Sequence, residues 1–318
     1  LMDLAAQQGR DDRARRIAER AFELRPRDPE IISRLFQLQT RAGDWAAARR
    51  TLAAEVRAGA LPREVGARRD AVLALAESRA AAEAGEAEHS RDAALEAHQL
   101  SPALAPAAVA AARAMAEEGP GGVARAEKAL RRSWKLAPHP DVAAAYAALM
   151  PEETPEARRE RFEALIAENP DHVESRLLAA ELALAAEDFP AARKALGDLA
   201  ETAPTTRSLA IMAAAERGAG APDREVRAWL AKALSAPRGE RWVCQGCGAV
   251  SESWEPLCEG CGAVDGLEWR RPEGDAGSRM AEAALAPVVL GALADAPERR
   301  IGSDALERRL GSDATDAD

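Results

Sequence analysis

Aromatic residues make up only 3% of the 318-residue chain, with a single tyrosine. A large aromatic core is therefore excluded. The apolar fraction is 47% and alanine dominates it, which favours helices packed closely through small side chains. Lysine is nearly absent: Lys128, Lys135, Lys194 and Lys232 are the four, and arginine carries the remaining positive charge. That imbalance reads as the composition of a GC-rich bacterial gene rather than an arginine recognition patch. A formal charge of −10 and a pI of about 5.2 argue against a nucleic-acid-binding surface. No apolar run reaches the roughly eighteen residues that a membrane span needs, and no signal peptide is visible. The chain as given is expected to be soluble. It also has no GxGxxG after a strand, no phosphate loop and no recognisable serine–histidine–acid set, so a catalytic function is not expected.

Cysteine is scarce too, and all four lie inside RWVCQGCGAVSESWEPLCEGCGAVDGLEW, residues 241–269. The spacing is Cys-x2-Cys, ten residues, Cys-x2-Cys. Two such pairs can grip one ion tetrahedrally from tight turns, and Cys244, Cys247, Cys258 and Cys261 are the expected ligands. Gly248 and Gly262 follow the pairs, where the chain needs a positive φ that glycine takes without steric cost. A disulfide reading fits poorly, because the other 314 residues hold no thiol. An all-thiolate tetrahedron suits zinc or rubredoxin-like iron, one ion per chain, with structural zinc favoured. A complete four-cysteine shell leaves no position for a substrate. Trp242, Val243, Trp254, Leu267 and Trp269 suffice for a miniature core in a segment that could not fold without the ion.

The long remainder repeats. Gly9 precedes Pro26 by seventeen residues, and the same step links Gly85 to Pro102, Gly121 to Pro138, and Gly220 to Pro237. Glu153 to Pro170 and Glu187 to Pro204 keep the step with the glycine replaced. Prolines 26, 62, 102, 138, 170, 204 and 237 are spaced at 32 to 40 residues, the period of a helical-hairpin solenoid. In RAGDWAAARRTLAAEV, Gly43 closes one helix, Asp44 caps the next, Trp45 packs into the hairpin and Ala48 permits close approach. The later proline separates one hairpin from the next.

These positions resemble the tetratricopeptide repeat. The fold expected is all-α: a tetratricopeptide superhelical solenoid with a small C-terminal zinc-ribbon or rubredoxin-like module. The boundaries are 1–238 for the array, 239–271 for the metal module and 272–318 for a flexible tail, within which Ala281–Leu293 can dock weakly. Leu1–Gln8 read as the end of a helix whose beginning is missing, so the chain is expected to be a fragment of a longer protein.

The repeats followed by WVCQGCG, WEPLCEGCG and LEW, together with APHPDVAAAYAALMPEETPEARRERFEALIAENPDHVESRLLAAELAL, resemble the HemY-type proteins of heme biosynthesis in alphaproteobacteria, over residues 1–272. The resemblance implies a scaffold for late heme-pathway enzymes, such as ferrochelatase or a porphyrinogen oxidase. It also implies an N-terminal anchor, absent here, that places the repeats on the cytoplasmic face of the inner membrane. It does not imply porphyrinogen oxidation. The lipopolysaccharide-assembly regulator LapB, which also joins such repeats to a rubredoxin-like tail, offers a rival function. An iron-bearing module that passes electrons is a third.

Tetratricopeptide arrays bind partners along the groove lined by the first helix of each hairpin. Here those helices contribute Arg34, Gln37, Arg41, Arg113, Arg176 and Arg207. A clamp for C-terminal carboxylates needs asparagines on these helices, and Asn169 is the only asparagine. His89, His98, His139 and His172 read as surface residues rather than axial ligands to heme.

Overall fold

The structure, a computed structural model, describes residues 11–273. The expected helix over 1–8 and the expected tail from 274 onward lie outside the described residues.

Among the described residues a helix, α1 (Asp11–Leu24), comes first, before a series of antiparallel hairpins. The first three pair α2 (Pro29–Arg41) with α3 (Trp45–Arg57), α4 (Arg63–Glu83) with α5 (Ala87–Leu100), and α6 (Ala105–Ala116) with α7 (Pro120–Leu136). Then come α8 (Pro140–Ala148), α9 (Pro155–Ile166), α10 (Val173–Ala185) and α11 (Phe189–Leu196). A short turn, α12 (Leu199–Thr202), leads to the last hairpin, α13 (Thr206–Gly218) with α14 (Asp223–Ser235). First helices of successive hairpins also touch: α4 meets α6, α6 meets α8, and α10 meets α13. They form one wall of the solenoid.

Four hairpin turns repeat one hydrogen-bond pattern, which Pro120, with no N–H, excludes at the α6–α7 turn. After α2 the Gly43 amide donates to the Thr40 carbonyl and the Asp44 amide to the Gln39 carbonyl. The same pair recurs at Gly85 and Glu86, at Gly220 and Ala221, and at Glu187 and Asp188. The turn residue takes a positive φ, +70° at Gly43 and +78° at Gly85. Glu187 occupies the same conformation at +56°, where a side chain crowds the backbone. At two of these turns a side chain caps the next helix, Asp44 accepting from the Ala47 amide and Asp188 from Ala191, and at the start of α13 Thr205 with Ser208 makes a reciprocal box.

Alanine sets the spacing. Ala108, Ala112, Ala126 and Ala143 are buried around Leu130, Trp134, Tyr146 and Phe162 in the central cluster. The Trp134 indole is fully buried and donates to the Ser175 hydroxyl at 3.0 Å, joining α7 to α10. Ion pairs add cross-links between neighbouring helices. Arg49 reaches Asp70, Glu77 and Glu96, and Arg161 reaches Glu153 and Glu127.

A three-stranded sheet follows, in the order β2 (Val250–Ser251), β1 (Arg241–Cys244), β3 (Leu267–Arg270), all antiparallel. The module's expected miniature core is corrected by the structure. Trp242, Trp254, Cys244, Cys258 and Leu267 instead share one apolar cluster with Ala71, Val72, Ala74 and Leu75 of α4, Ala97 of α5, Leu104, and Ala107 of α6. A thirty-residue segment has too little apolar surface to bury against itself, and the alanine-rich wall supplies the rest.

Replacing Glu187 with glycine is expected to raise stability by about 1 kcal/mol, because the left-handed turn no longer carries a β-carbon. Gly43→Ala, at the equivalent turn, should lower it by a similar amount. Urea unfolding followed by circular dichroism measures both.

Candidate metal centre

The two cysteine pairs sit on two matching turns. In the first, the Cys244 amide donates to the Ala249 carbonyl and the Gly248 amide to the Cys244 carbonyl, at 2.8 and 2.9 Å. In the second, Cys258 donates to Ala263 and Gly262 to Cys258, at 2.9 and 2.7 Å. Gly248 and Gly262 have φ of +74° and +72°, which answers why a glycine follows each pair. The turns face each other, held by the Gln245 amide donating to the Gly266 carbonyl, and the bridge between Leu257 and Val264 closes the second turn.

All four Sγ atoms lie within 4.8 Å of one another. The closest approaches run between turns, 3.7 Å for Cys244 to Cys261 and 3.6 Å for Cys247 to Cys258. Zinc–sulfur bonds in a tetrahedron put sulfurs about 3.8 Å apart, so the four fit one ion of that kind. All four are free of disulfides. Burial opposes ionisation of Cys244, but the Cys247 and Gly246 amides point at its sulfur and bring its pKa down to about 7. At Cys261 the Ala263 amide favours the thiolate, yet the Cys244 and Cys247 sulfurs override it and push the pKa up to about 12. Four thiolates so close repel one another; a cation removes that penalty and releases the protons.

The side chains that seat this centre were not visible in the sequence. The Asp265 carboxylate accepts from Nε of Arg68 on α4, at 3.0 and 3.1 Å to its two oxygens. Its φ is +52°. Burial raises its pKa, against the pull of Arg68. Arg79, also on α4, lies over the Trp254 ring at 4.9 Å and bonds Glu255 at 3.2 Å. Val264 packs against the cluster that holds Phe36 of α2 and Leu73 of α4, and the Arg41 guanidinium lies beside Gly262.

The surface reading of the histidines is corrected at two of them. His139 is 3% exposed, with its ring 5.2 Å from Trp242 and 4.3 Å from Trp269. Its Nδ1 caps α8 by accepting from the Asp141 amide at 3.1 Å. Burial lowers its pKa to about 4. His98 is also buried, on α5. His172 caps α10, and His89 bonds Glu77 in the open. The loop after Pro138 reads as exposed only until the module closes over it.

The six expected groove residues separate. Arg207 holds both Glu174 and Glu181 at 2.7–2.8 Å, tying α13 to α10. Arg176 bonds the Leu196 carbonyl and Asp198, each at 2.8 Å. Arg34 and Gln37 meet at 3.4 Å on α2, near Arg41. Arg113 is exposed in a cleft of about 720 Å³ lined also by Arg79, Ala94, Val109 and Trp254. A second cleft, about 580 Å³ between α6 and α8, shares Val109, Arg113, Glu117 and Asp141 with the first. The wall thus carries the metal module over α4 and a continuous small-residue groove beside it.

Residues 152–216 match the tetratricopeptide repeat family. The hairpins of that stretch are of the tetratricopeptide type. The chain is 32% identical over 253 residues to "Probable magnetosome protein Mms48" of Magnetospirillum gryphiswaldense, an alignment covering 79% of this chain and 54% of that protein. The chain therefore spans about half the length of the curated relative it matches. A tetratricopeptide repeat protein from Parabacteroides merdae overlays 73% of this chain and 96% of its own, at 14% identity and a TM-score of 0.32. The TPR2AB domain of yeast Sti1, solved as a pHSP90 complex, overlays 73% of this chain and 95% of its own, at 18% identity and a TM-score of 0.21. Among the described residues, no helix is long and apolar enough to cross a membrane.

Elemental analysis of the purified chain should find one tetrahedral ion bound through the four cysteines. Cys258→Ser should abolish stoichiometric binding and disorder residues 241–270, because the ion supplies most of a small module's folding energy. Ordered, metal-free protein would contradict this.

Acid should act through His139. Its folded pKa lies below its unfolded value, so the unfolded chain binds the extra proton and stability falls as pH drops through that window. The loss from about pH 6.5 to 4 is of the order of 3 kcal/mol. His139→Asn keeps a cap acceptor but cannot titrate. The stability difference between parent and variant, measured in urea at each pH, should shrink by about that amount on acidification. Asp141, 3.7 Å from Nδ1, is common to both proteins.

Proposed function

We propose that the chain is a non-catalytic protein-interaction scaffold. The observation that carries this is the wall of first helices, which stays open as a continuous groove along α6 and α8. Its floor is made of Ala112, Ala116, Ala144, Ala145 and Ala148, small side chains over which a partner's backbone can approach closely. Arg113 stands on its rim. The four-thiolate cluster is complete in itself, which favours a structural zinc ion over a catalytic one. Iron is the alternative, and with it an electron-transfer role for the module.

In this reading the partners are late heme-pathway enzymes, as the HemY resemblance implies. The array works at the cytoplasmic face of the inner membrane when the full-length protein is anchored there. The likeness to the probable magnetosome protein Mms48 favours a second reading, in which the same scaffold serves a magnetosome. Both readings keep the groove as the working surface.

Full-length protein drawn from solubilised native membranes should retain ferrochelatase or a porphyrinogen oxidase, identified by mass spectrometry. Charge reversal of Arg34, Arg41 and Arg113 together should weaken that capture several-fold without loss of helical circular dichroism, since rim charges steer acidic partners. Recovery of lipopolysaccharide-synthesis components would move the function to the LapB-like alternative. Oxidation of a porphyrinogen by the purified chain would overturn the non-catalytic reading.

A further inference from the structure

The part of the wall that a partner would find most apolar is already covered, and the cover is the chain's own metal module. Three anchors sit on it: Trp242, Trp254 and Leu267, each 5% exposed or less, pack with Ala71, Ala74, Leu75 and Ala107. Two carboxylates frame them, Asp265 on Arg68 and Glu255 on Arg79. Both arginines are on α4, eleven residues apart, three turns along one helix. His139, from the start of α8, closes the far side between Trp242 and Trp269. Aromatic and aliphatic anchors flanked by acids, set against an arginine-edged helical wall, are how a groove of this kind holds a bound segment.

We infer that the module is an intramolecular occupant of the groove, latched there by its metal ion, and that losing the ion frees the α4–α6 wall for a partner segment with aromatic anchors and flanking carboxylates. The chain of causes is short. Cys244 and Cys258 belong to the same buried cluster as the anchors. The turn that carries Asp265 begins four residues after Cys261. Without the ion nothing holds the two turns face to face, and the anchors lose the geometry that places them on α4. Because the coupling is thermodynamic it runs both ways: the wall must also strengthen metal binding. Residues nearly two hundred positions away in sequence therefore belong functionally to the metal site.

The inference rests on the scaffold reading only for what would enter the freed wall; the latch is tested without a partner. Hydrogen exchange of the full chain is compared with zinc bound and after removal by a chelator under reducing conditions. Exchange should rise in residues 241–270, in α4 and in α6, while α13 and α14 stay unchanged. In a second arm, zinc affinity is measured by competition with a chromophoric chelator for the parent and for Arg68→Ala. The Arg68 side chain is only half-buried, so the variant keeps the array. Its affinity should fall about tenfold, as for other residues that orient a metal site from outside it. Protection of α4 and α6 that survives metal removal would overturn the latch. So would an Arg68→Ala affinity within twofold of the parent. Loss of protection through α13 and α14 as well would overturn it too, making the ion a condition of folding for the whole array.

Discussion

Four sulfur atoms crowded within 4.8 Å set a condition on everything built around them. As thiols they gain little from the proximity, and as thiolates they repel unless a cation sits among them. The fold brings them together by two copies of one turn, each using backbone amides to favour ionised sulfur and a glycine to complete the bend. The module has only a handful of apolar side chains, so this electrostatic requirement and the borrowed alanine wall must both be met. Neither suffices in a segment of this length. The position of the β-strands, the burial of His139 and the burial of Asp265 all follow from where the sulfur cluster seats the anchors.

The array itself obeys a different economy. Alanine at Ala108, Ala112, Ala126 and Ala143 lets helices approach closely around a few large residues such as Trp134 and Phe162. Close approach leaves little room for error in the turns, and the same six-to-one hydrogen bond recurs at the bends of Gly43, Gly85, Glu187 and Gly220. The strained Glu187 shows how far the pattern dominates local preference: the residue takes the left-handed conformation because two packed helices fix the turn around it.

What could be read in the sequence was local or periodic. The seventeen-residue step, the cap at Asp44, and the two cysteine turns are each contained within a few dozen residues, so spacing and residue type were enough. The position occupied by Glu187 was legible as the place of a missing glycine. The seating of the module was not, because it depends on contacts such as Arg68 with Asp265 and Arg79 with Trp254, separated by 197 and 175 positions. No periodicity marks such a pair. His139 failed for the same reason: its proline-flanked loop looks exposed until Trp242 and Trp269 return from a hundred residues later. Arg176 and Arg207 stood on the first helices as expected, yet acids on neighbouring elements hold them, as Asp198 does for Arg176.

The division of the wall constrains how such a scaffold can work. Arg176 and Arg207 are tied into the array's own ion pairs, so reversing their charges would strain the packing of α10 and α13 before it touched a partner. Arg41 lies beside the second cysteine turn. Arg113 alone among the six stands where both clefts meet. A partner meeting the metal-loaded chain therefore encounters alanine and a single prominent cation along α6 and α8, with Glu117 and Asp141 as neighbours. That surface offers close approach over its alanines and, through Arg113 at its rim, a cation for an acidic partner. The strongly apolar, arginine-edged stretch over α4 is withheld behind the module, and the same residues that withhold it are those that hold the metal turns in place.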